Sequence, residues 1–264
     1  MTTCYDAVII GAGPGGGTAA LSLARAGLKV ALLERKAFPR RKVCGEYLSA
    51  TNFPLFDKLG LADAFLACAG PPVTHVGFYS RETSLQAGLP KPTDFTEWGR
   101  ALSRDQLDTL LLQRASEAGA TLFQPATATG LKQEDGRYHL EILGSADTKM
   151  ELVASAIIAA HGSWDIGTLP TQPQREEMRP DDLFGFKAHF AKSELPTGLM
   201  PLLAFPSGYG GMVHCEANKT SISFCLRRDC LTELRKGASG DAAEVAYAHV
   251  LRSCRGVRET LGAA

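Results

Sequence analysis

Five glycines fall within the seven residues Gly11-Ala12-Gly13-Pro14-Gly15-Gly16-Gly17, directly after the apolar run Tyr5-Asp6-Ala7-Val8-Ile9-Ile10. The apolar run, β-branched toward its end, reads as a buried parallel strand. Thr18 to Ala26 reads as a helix closed by Gly27, a residue that tolerates left-handed geometry. Val30 to Leu33 reads as a second strand that ends at Glu34. Strand, glycine turn, helix, strand and acid, in that order, predict a dinucleotide-binding fold. Gly11 makes the tight turn, Gly13 lets main chain approach a pyrophosphate, and Gly16 lets helix and strand pack closely. Gly11, Gly13, Pro14 and Gly16 are therefore the expected phosphate cradle, backed by the free N–H groups of a helix N-terminus. Glu34 lies eighteen residues beyond Gly16, where a carboxylate accepts hydrogen bonds from an adenosine ribose. That acid would repel a 2′-phosphate, so the pattern predicts FAD or NAD here and excludes NADP.

The totals narrow the class. A chain of 264 residues has room for one large domain or two intertwined ones, and 45% apolar residues suffice for a core. Lys and Arg number 28 and Asp and Glu number 28, so bulk charge directs the chain neither to nucleic acid nor to an anionic membrane. No apolar run is long enough to span a bilayer; Ala154 to Ala160 is only strand-sized. The N-terminus lacks a basic leader, which argues against a signal peptide. The seven cysteines, at 4, 44, 68, 215, 225, 230 and 254, form no CxxC pair. Reduced thiols in a cytoplasm are expected, with no disulfide framework and no metal site. His214, Cys215, Cys225 and Cys230 in particular have the wrong spacing for zinc.

Further along, a helix is expected from about Thr51 to Leu66, a strand at Val73 to Tyr79, and a possible return strand within the polar segment Ser80 to Thr96. A helix starts near Ser103, with Gln106 at capping-box spacing, and ends at Gly119. Thr121-Leu122-Phe123 begins a strand, a hairpin turns at Glu134-Asp135-Gly136, and Ala154 to Ala160 is a buried strand. Gly185 to Phe190, Leu199 to Phe205, Gly211 to Glu216 and Thr220 to Leu226 read as a second sheet, the last alternating strictly. Helical periodicity resumes from about Asp241. The expected fold class is α/β: a Rossmann-like nucleotide-binding domain with a parallel sheet, interrupted by a mixed β-sheet domain. Residues 1–72 and 98–168 are expected to form the first, 73–97 and 169–230 the second, and 231–264 a helical segment.

On these features the chain resembles the FAD-dependent oxidoreductases built like p-hydroxybenzoate hydroxylase, and within them the geranylgeranyl-reductase branch. The glycine turn with Glu34 is shared by all dinucleotide folds. Arg41-Lys42-Val43-Cys44-Gly45-Glu46-Tyr47-Leu48-Ser49 is similar to that branch's Cys-Gly-Glu-x-Leu-Ser loop and is more selective. Leu102-Ser103-Arg104 with Asp108 is similar to the helix that opens on an FAD-contacting arginine. Ala159-Ala160-His161-Gly162-Ser163-Trp164 stands in place of the family's Asp-Gly motif, with His161 where the family has Asp. The resemblance implies FAD contacts at Arg41, Cys44, Gly45, Tyr47, Arg104, Ala128 and Gly162, besides the cradle and Glu34. Gly240-Asp241-Ala242-Ala243-Glu244 imitates the family's last FAD motif in letters, but it follows no apolar strand. It reads as a helix capped by Asp241, which leaves the FAD site to be completed by a further C-terminal segment or a partner.

The resemblance implies an FAD-dependent oxidoreductase acting on a largely apolar small molecule. Hydride transfer from flavin to a carbon–carbon double bond is the first reading. An NAD(P)H-driven monooxygenase is the second, and a non-catalytic FAD-fold protein the third. A flavin halogenase is disfavoured, because no WxWxIP segment is present. Cys44 is the candidate catalytic residue. Its thiol either faces substrate, with Arg40, Arg41 and Lys42 favouring the thiolate, or fills a tight turn as a small apolar group. Arg104 either meets the cofactor or pairs with Asp108 one turn on. Glu46 is expected to be solvated or paired with Arg41.

Overall fold

A computed structural model describes residues 4–93, 97–162, 165–174 and 176–262. Along the chain run β1 (Cys4–Ile10), α1 (Pro14–Arg25), β2 (Val30–Leu33), β3 (Tyr47–Leu48), α2 (Phe53–Leu59) and α3 (Ala62–Cys68). Then come β4 (His75–Ser80), β5 (Thr83–Gly88), β6 (Arg100–Ala101), α4 (Arg104–Glu117), β7 (Thr121–Phe123), β8 (Thr127–Glu134), β9 (Arg137–Leu143) and β10 (Lys149–Ala159). The remainder is β11 (Leu183–Phe190), β12 (Leu199–Phe205), β13 (Gly208–His214), β14 (Thr220–Arg227), α5 (Arg228–Arg235), α6 (Ala242–Ser253) and α7 (Arg255–Leu261). The chain divides into two compact units, residues 1–41 with 104–176 and residues 42–103 with 177–264.

The first unit is built on a sheet of order β7-β2-β1-β10-β9-β8. The first four strands run parallel, and β10 then turns antiparallel to β9. Val8 and Ile9 are both fully buried although they point to opposite faces, so the strand is covered on both sides and needs an unbroken apolar run. One cover is the helix layer of α1 and α4, where a methyl group on Gly17 would stand 3.1 Å from Leu111 Cβ. The other is a cluster of Tyr5, Val8, Leu33, Leu140, Ile142 and Leu152. The β8–β9 hairpin turns at Asp135 and Gly136 with φ of 49° and 73°, the paired left-handed geometry that favours Asp-Gly.

The second unit carries a sheet of order β11-β14-β13-β12-β4-β5. Its strands are antiparallel except for β12 beside β4. Alternation gives it two unlike faces. Phe186, Met212, Ile222, Phe224 and Leu226 pack with Ala246, Val250, Val257 and Leu261 of the C-terminal helices. The residues between them, Lys187 and His189 of β11 and Ser221 and Ser223 of β14, form the opposite, polar face, paired Lys187 to Ser223 and His189 to Ser221.

The α/β class with a parallel sheet and a second mixed sheet is as the pattern predicts, and β5 is the return strand expected after Ser80. Thr96, at the end of that polar segment, lies outside the described residues. The helix expected over 51–66 is instead two, because Gly60 takes φ 62° and closes α2 before α3 begins. Residues 42–72 and 98–103 lie in the second unit, although the sequence reading put them with the nucleotide-binding part. Helix α5 begins at Arg228, three residues before the helical segment expected from 231. Asp241 caps α6 as anticipated, accepting from the amides of Ala243 and Glu244 while Glu244 accepts from Asp241 N.

The packing sets a contrast that denaturation can check. Ile222 is fully buried at the centre of the second sheet, and Ile222→Ala should lower the urea unfolding free energy by about 2–5 kcal/mol. Leu183, which is exposed, should lose less than about 1 kcal/mol on the same change.

Candidate functional site

In the first unit the glycine turn is as tight as side-chain-free backbone allows. A methyl group on Gly16 would lie 1.8 Å from Gly11 O, and one on Gly11, whose φ is +105°, would lie 2.3 Å from Ala160 O. Pro14 starts α1, and the first helical bond runs from Gly17 N to Gly13 O. Amides ahead of it have no carbonyl one turn back, which leaves them for an anion. A methyl group on Gly13 would meet only Arg104 Nη2 at 3.7 Å and Arg40 Nη2 at 4.0 Å. The space over Gly13 is therefore bordered by two guanidinium groups.

Glu34 is buried at the end of β2, and its side chain faces the turn. Oε2 accepts from Ala12 N at 3.2 Å and from Arg40 Nη2 at 3.3 Å, and Oε1 accepts from Lys36 N at 3.1 Å. Its own main chain continues the sheet, with Glu34 N donating to Phe123 O and Ala126 N to Glu34 O. Ala128, two residues further, opens β8 opposite Ile142. Asp108 is fully buried on α4 and grips Arg104 in a fork, Nε to Oδ1 at 2.7 Å and Nη2 to Oδ2 at 2.8 Å. The structure shows the pair with Asp108, which holds the Arg104 guanidinium beside Gly13.

Arg40 was not singled out in the sequence, because it is one cation in the basic stretch 35–42 and nothing local distinguishes it. In the structure its Nη2 reaches Glu34 and lies 4.0 Å from Asp108 Oδ2. Its Nε is buried without a hydrogen-bond partner. A buried cationic donor left so is unfavourable by more than about a kcal/mol. Arg41, the residue carried by the resemblance, is exposed. At the end of β10, His161 Nε2 meets Thr171 Oγ1 at 2.9 Å, and burial lowers its pKa although Asp165 opposes the shift. Gly162 follows with φ +91°; Ser163 and Trp164 lie outside the described residues.

The second unit holds the Cys-Gly-Glu turn. Cys44 is half-buried, and its Sγ accepts from Glu46 N at 3.4 Å. Gly45 is exposed, with Ser223 Oγ 3.6 Å from where its Cβ would be. Tyr47 pairs with Ala101 in the β3–β6 ladder, and burial raises its pKa. Glu46 was expected to be solvated or paired with Arg41, and the solvated reading fails. It is buried, with Oε1 on Lys187 Nζ and Oε2 on His189 Nε2 at 2.7 Å. The sequence could not show this pairing, because its partners lie 141 and 143 positions away.

Cys215 adjoins this pair, and one ligand-type atom each from Glu46, His189 and Cys215 lies within 4.8 Å of the others. Burial, then Glu216 and Glu46, pushes the Cys215 thiol up to about 12, so it stays neutral. Since Lys187 already holds Glu46 Oε1, this donor set suits an ion pair better than a metal ion.

The family described as FAD binding domain matches residues 4–239. The chain belongs to this FAD-binding domain family. Its residues fit the cofactor: an anion cradle at Gly11, Gly13 and Gly16, an acid for the ribose at Glu34, and an orphaned cationic donor at Arg40. Among curated relatives, the chain is 31% identical to the digeranylgeranylglycerophospholipid reductase of Thermoplasma volcanium over 159 residues, 60% of this chain and 39% of that one. It is 28% identical to the menaquinone reductase of Mycolicibacterium smegmatis over 150 residues, 56% of this chain and 36% of the relative. The match thus spans under two-fifths of either relative's length. A myxobacterial FAD-dependent chondrochloren halogenase shares the fold, with TM-score 0.82 and 23% identity over 98% of this chain and 60% of the other. No helix among the described residues is long and apolar enough to cross a membrane.

Two outcomes follow from this chemistry. Arg40→Met removes charge-assisted bonds worth about 1.5–3 kcal/mol each, so FAD affinity, read by quenching of flavin fluorescence, should drop about tenfold or more. The Cys215 thiol is protonated in the folded state long after it ionises in the unfolded one, whose value is near 9.0. The folded form then holds the extra proton, so stability should fall as pH rises from about 9 toward 12. Cys215→Ala should remove that component from urea melts taken across this range.

Proposed function

We propose that this chain is the FAD-holding part of a flavin-dependent reductase that saturates a carbon–carbon double bond in a largely apolar, prenyl-type substrate. The observation that carries the flavin part is the turn at Gly13, with Glu34 bonded to Ala12 N and the guanidinium groups of Arg40 and Arg104 beside it. The two reductases among the relatives, and the Cys-Gly-Glu turn, support the reductase part. FAD, when bound, supplies the hydride, and a reduced nicotinamide is the expected electron donor.

The chain's own residues would do the rest. Main chain at Gly11, Gly13 and Gly16 would line the diphosphate path, and Pro14, which has no N–H to donate, is preset for the helix start. Glu34 would hold the ribose, and Arg40, Arg104 and Arg41 the diphosphate charge. Ala128 and Gly162 would lend main chain along the cofactor, and Gly45 and Tyr47 would do so beside its ring. Double-bond reduction needs a proton as well as a hydride. In this reading Cys44 Sγ–H gives its proton to the second carbon, a new C–H bond forms, and the thiolate regains a proton from solvent. Asp241 is engaged in capping α6, so a further segment or a partner is proposed to supply the remaining flavin contacts. Seven free cysteines suit a reducing compartment such as the cytoplasm.

The test uses purified, FAD-loaded protein, with reduced nicotinamide and a prenylated quinone or lipid, in the absence of oxygen. Turnover under these conditions is expected. Activity that instead requires oxygen identifies a hydroxylase, and protein that binds no FAD overturns the reading. Cys44→Ser should lower turnover about a hundredfold or more while flavin stays bound, in line with loss of a general acid. Unchanged turnover would remove Cys44 from the chemistry.

A further inference from the structure

We propose that Lys187 is a staple for the Cys44 turn: one ammonium on β11 ties both shoulders of the loop 42–46, and the loop's conformation, and with it the place of Cys44 Sγ, depends on that tie. Lys187 Nζ donates to Lys42 O at 3.3 Å and to Glu46 Oε1, the two ends of a stretch with Cys44 at its middle. His189, two residues along the same strand and on the same face, takes the other Glu46 oxygen. The Glu46 side chain has no solvent exposure, and the Lys187 side chain has 9%. Breaking so buried a pair by removing one member is unfavourable.

Backbone geometry gives independent support. Glu46 has φ 63°, a left-handed conformation that is unfavourable for a residue with a Cβ. Such a conformation persists where surrounding contacts over-determine it. Here Glu46 O accepts from Leu102 N, Glu46 N donates to Cys44 Sγ, and the side chain is held by β11. The sulfur is thus bonded directly to the residue the staple fixes. The floor of the loop is cut to match, since Gly185 on β11 has no side chain where Val43 Cγ1 would stand 3.0 Å from its Cβ. Gly185, Lys187 and His189 are successive residues on one face of an edge strand, and all three receive the loop.

Lys187 and Glu46 are positioning residues in this account. What the fixed sulfur is for rests on the proposed role of Cys44, but whether it is fixed does not. The experiment is alkylation of the folded protein with iodoacetamide, read cysteine by cysteine by peptide mass spectrometry. Cys254, fully buried on the far side of the sheet among the C-terminal helices, reports general unfolding. Lys187→Met and Glu46→Gln should each speed Cys44 labelling about tenfold, the signature of local opening, while Cys254 stays protected. Cys44 labelling at the parent rate in both variants overturns the proposal. So does Cys44 opening only in step with Cys254, because the pair would then hold the sheet and not the turn. Faster Cys44 labelling together with full turnover by Cys44→Ser leaves the staple standing and removes the catalytic role. Unchanged labelling with inactive Cys44→Ser does the reverse.

Discussion

The carboxylate of Glu34 is the constraint on which the nucleotide-binding unit rests. It sits at the end of a fully buried strand and takes the amide of Ala12, so the end of β2 and the glycine turn after β1 are fixed to each other by one side chain. A buried carboxylate tolerates this position only if its oxygens are satisfied. Ala12 N, Lys36 N and Arg40 supply three donors. The arrangement also bears on what can bind. If this acid meets the ribose, as proposed, it would accept from a free hydroxyl and repel a phosphate at the same carbon.

Around that carboxylate, cations and acids alternate. Arg40 lies between Glu34 and Asp108, and Arg104 is forked onto Asp108 from one helical turn away. A cation in the first turn of a helix is opposed by the helix dipole. The buried Asp108 offsets this and also limits the rotamers of Arg104, so the guanidinium is aimed before any anion arrives. Preorganisation of this kind reduces the ordering cost of binding. Two arginines against two acids leave this cluster near neutrality.

Legibility in the sequence followed the range of the interaction. Gly16 was readable because its constraint is local, a Cβ there striking Gly11 O, and Gly11 because the turn itself takes φ +105°, although the atom its Cβ would strike, Ala160 O, lies at the end of β10. Glu34 was readable because strand length fixes its distance from the turn. The second sheet was readable from alternation in Thr220–Arg227, which separates an apolar from a polar face. Arg40 was not, since which of several neighbouring cations swings inward is decided by packing around a buried acid. Glu46 was misjudged for the same reason at longer range, because a charged residue in a loop reads as solvated until its partners on β11 are brought to it. The break at Gly60 was locally visible and was overridden by apolar spacing that continued through it.

The two buried glutamates solve a similar problem in different units. Glu34 fixes a glycine turn through Ala12 N, and Glu46 fixes a cysteine turn through Lys187 and His189. Each is a carboxylate beside a backbone reversal, and each is matched by a cation on another segment. An apolar pair of equal volume would serve stability as well or better, because buried ion pairs lose in desolvation much of what they gain in attraction. What an apolar pair lacks is direction. A carboxylate with its oxygens on two named donors fixes both the distance and the rotation of the turn that carries it, while an apolar contact fixes only proximity. Charge at these two turns therefore fixes geometry, which is what the proposed diphosphate path at one and the proposed hold on Cys44 Sγ at the other would require.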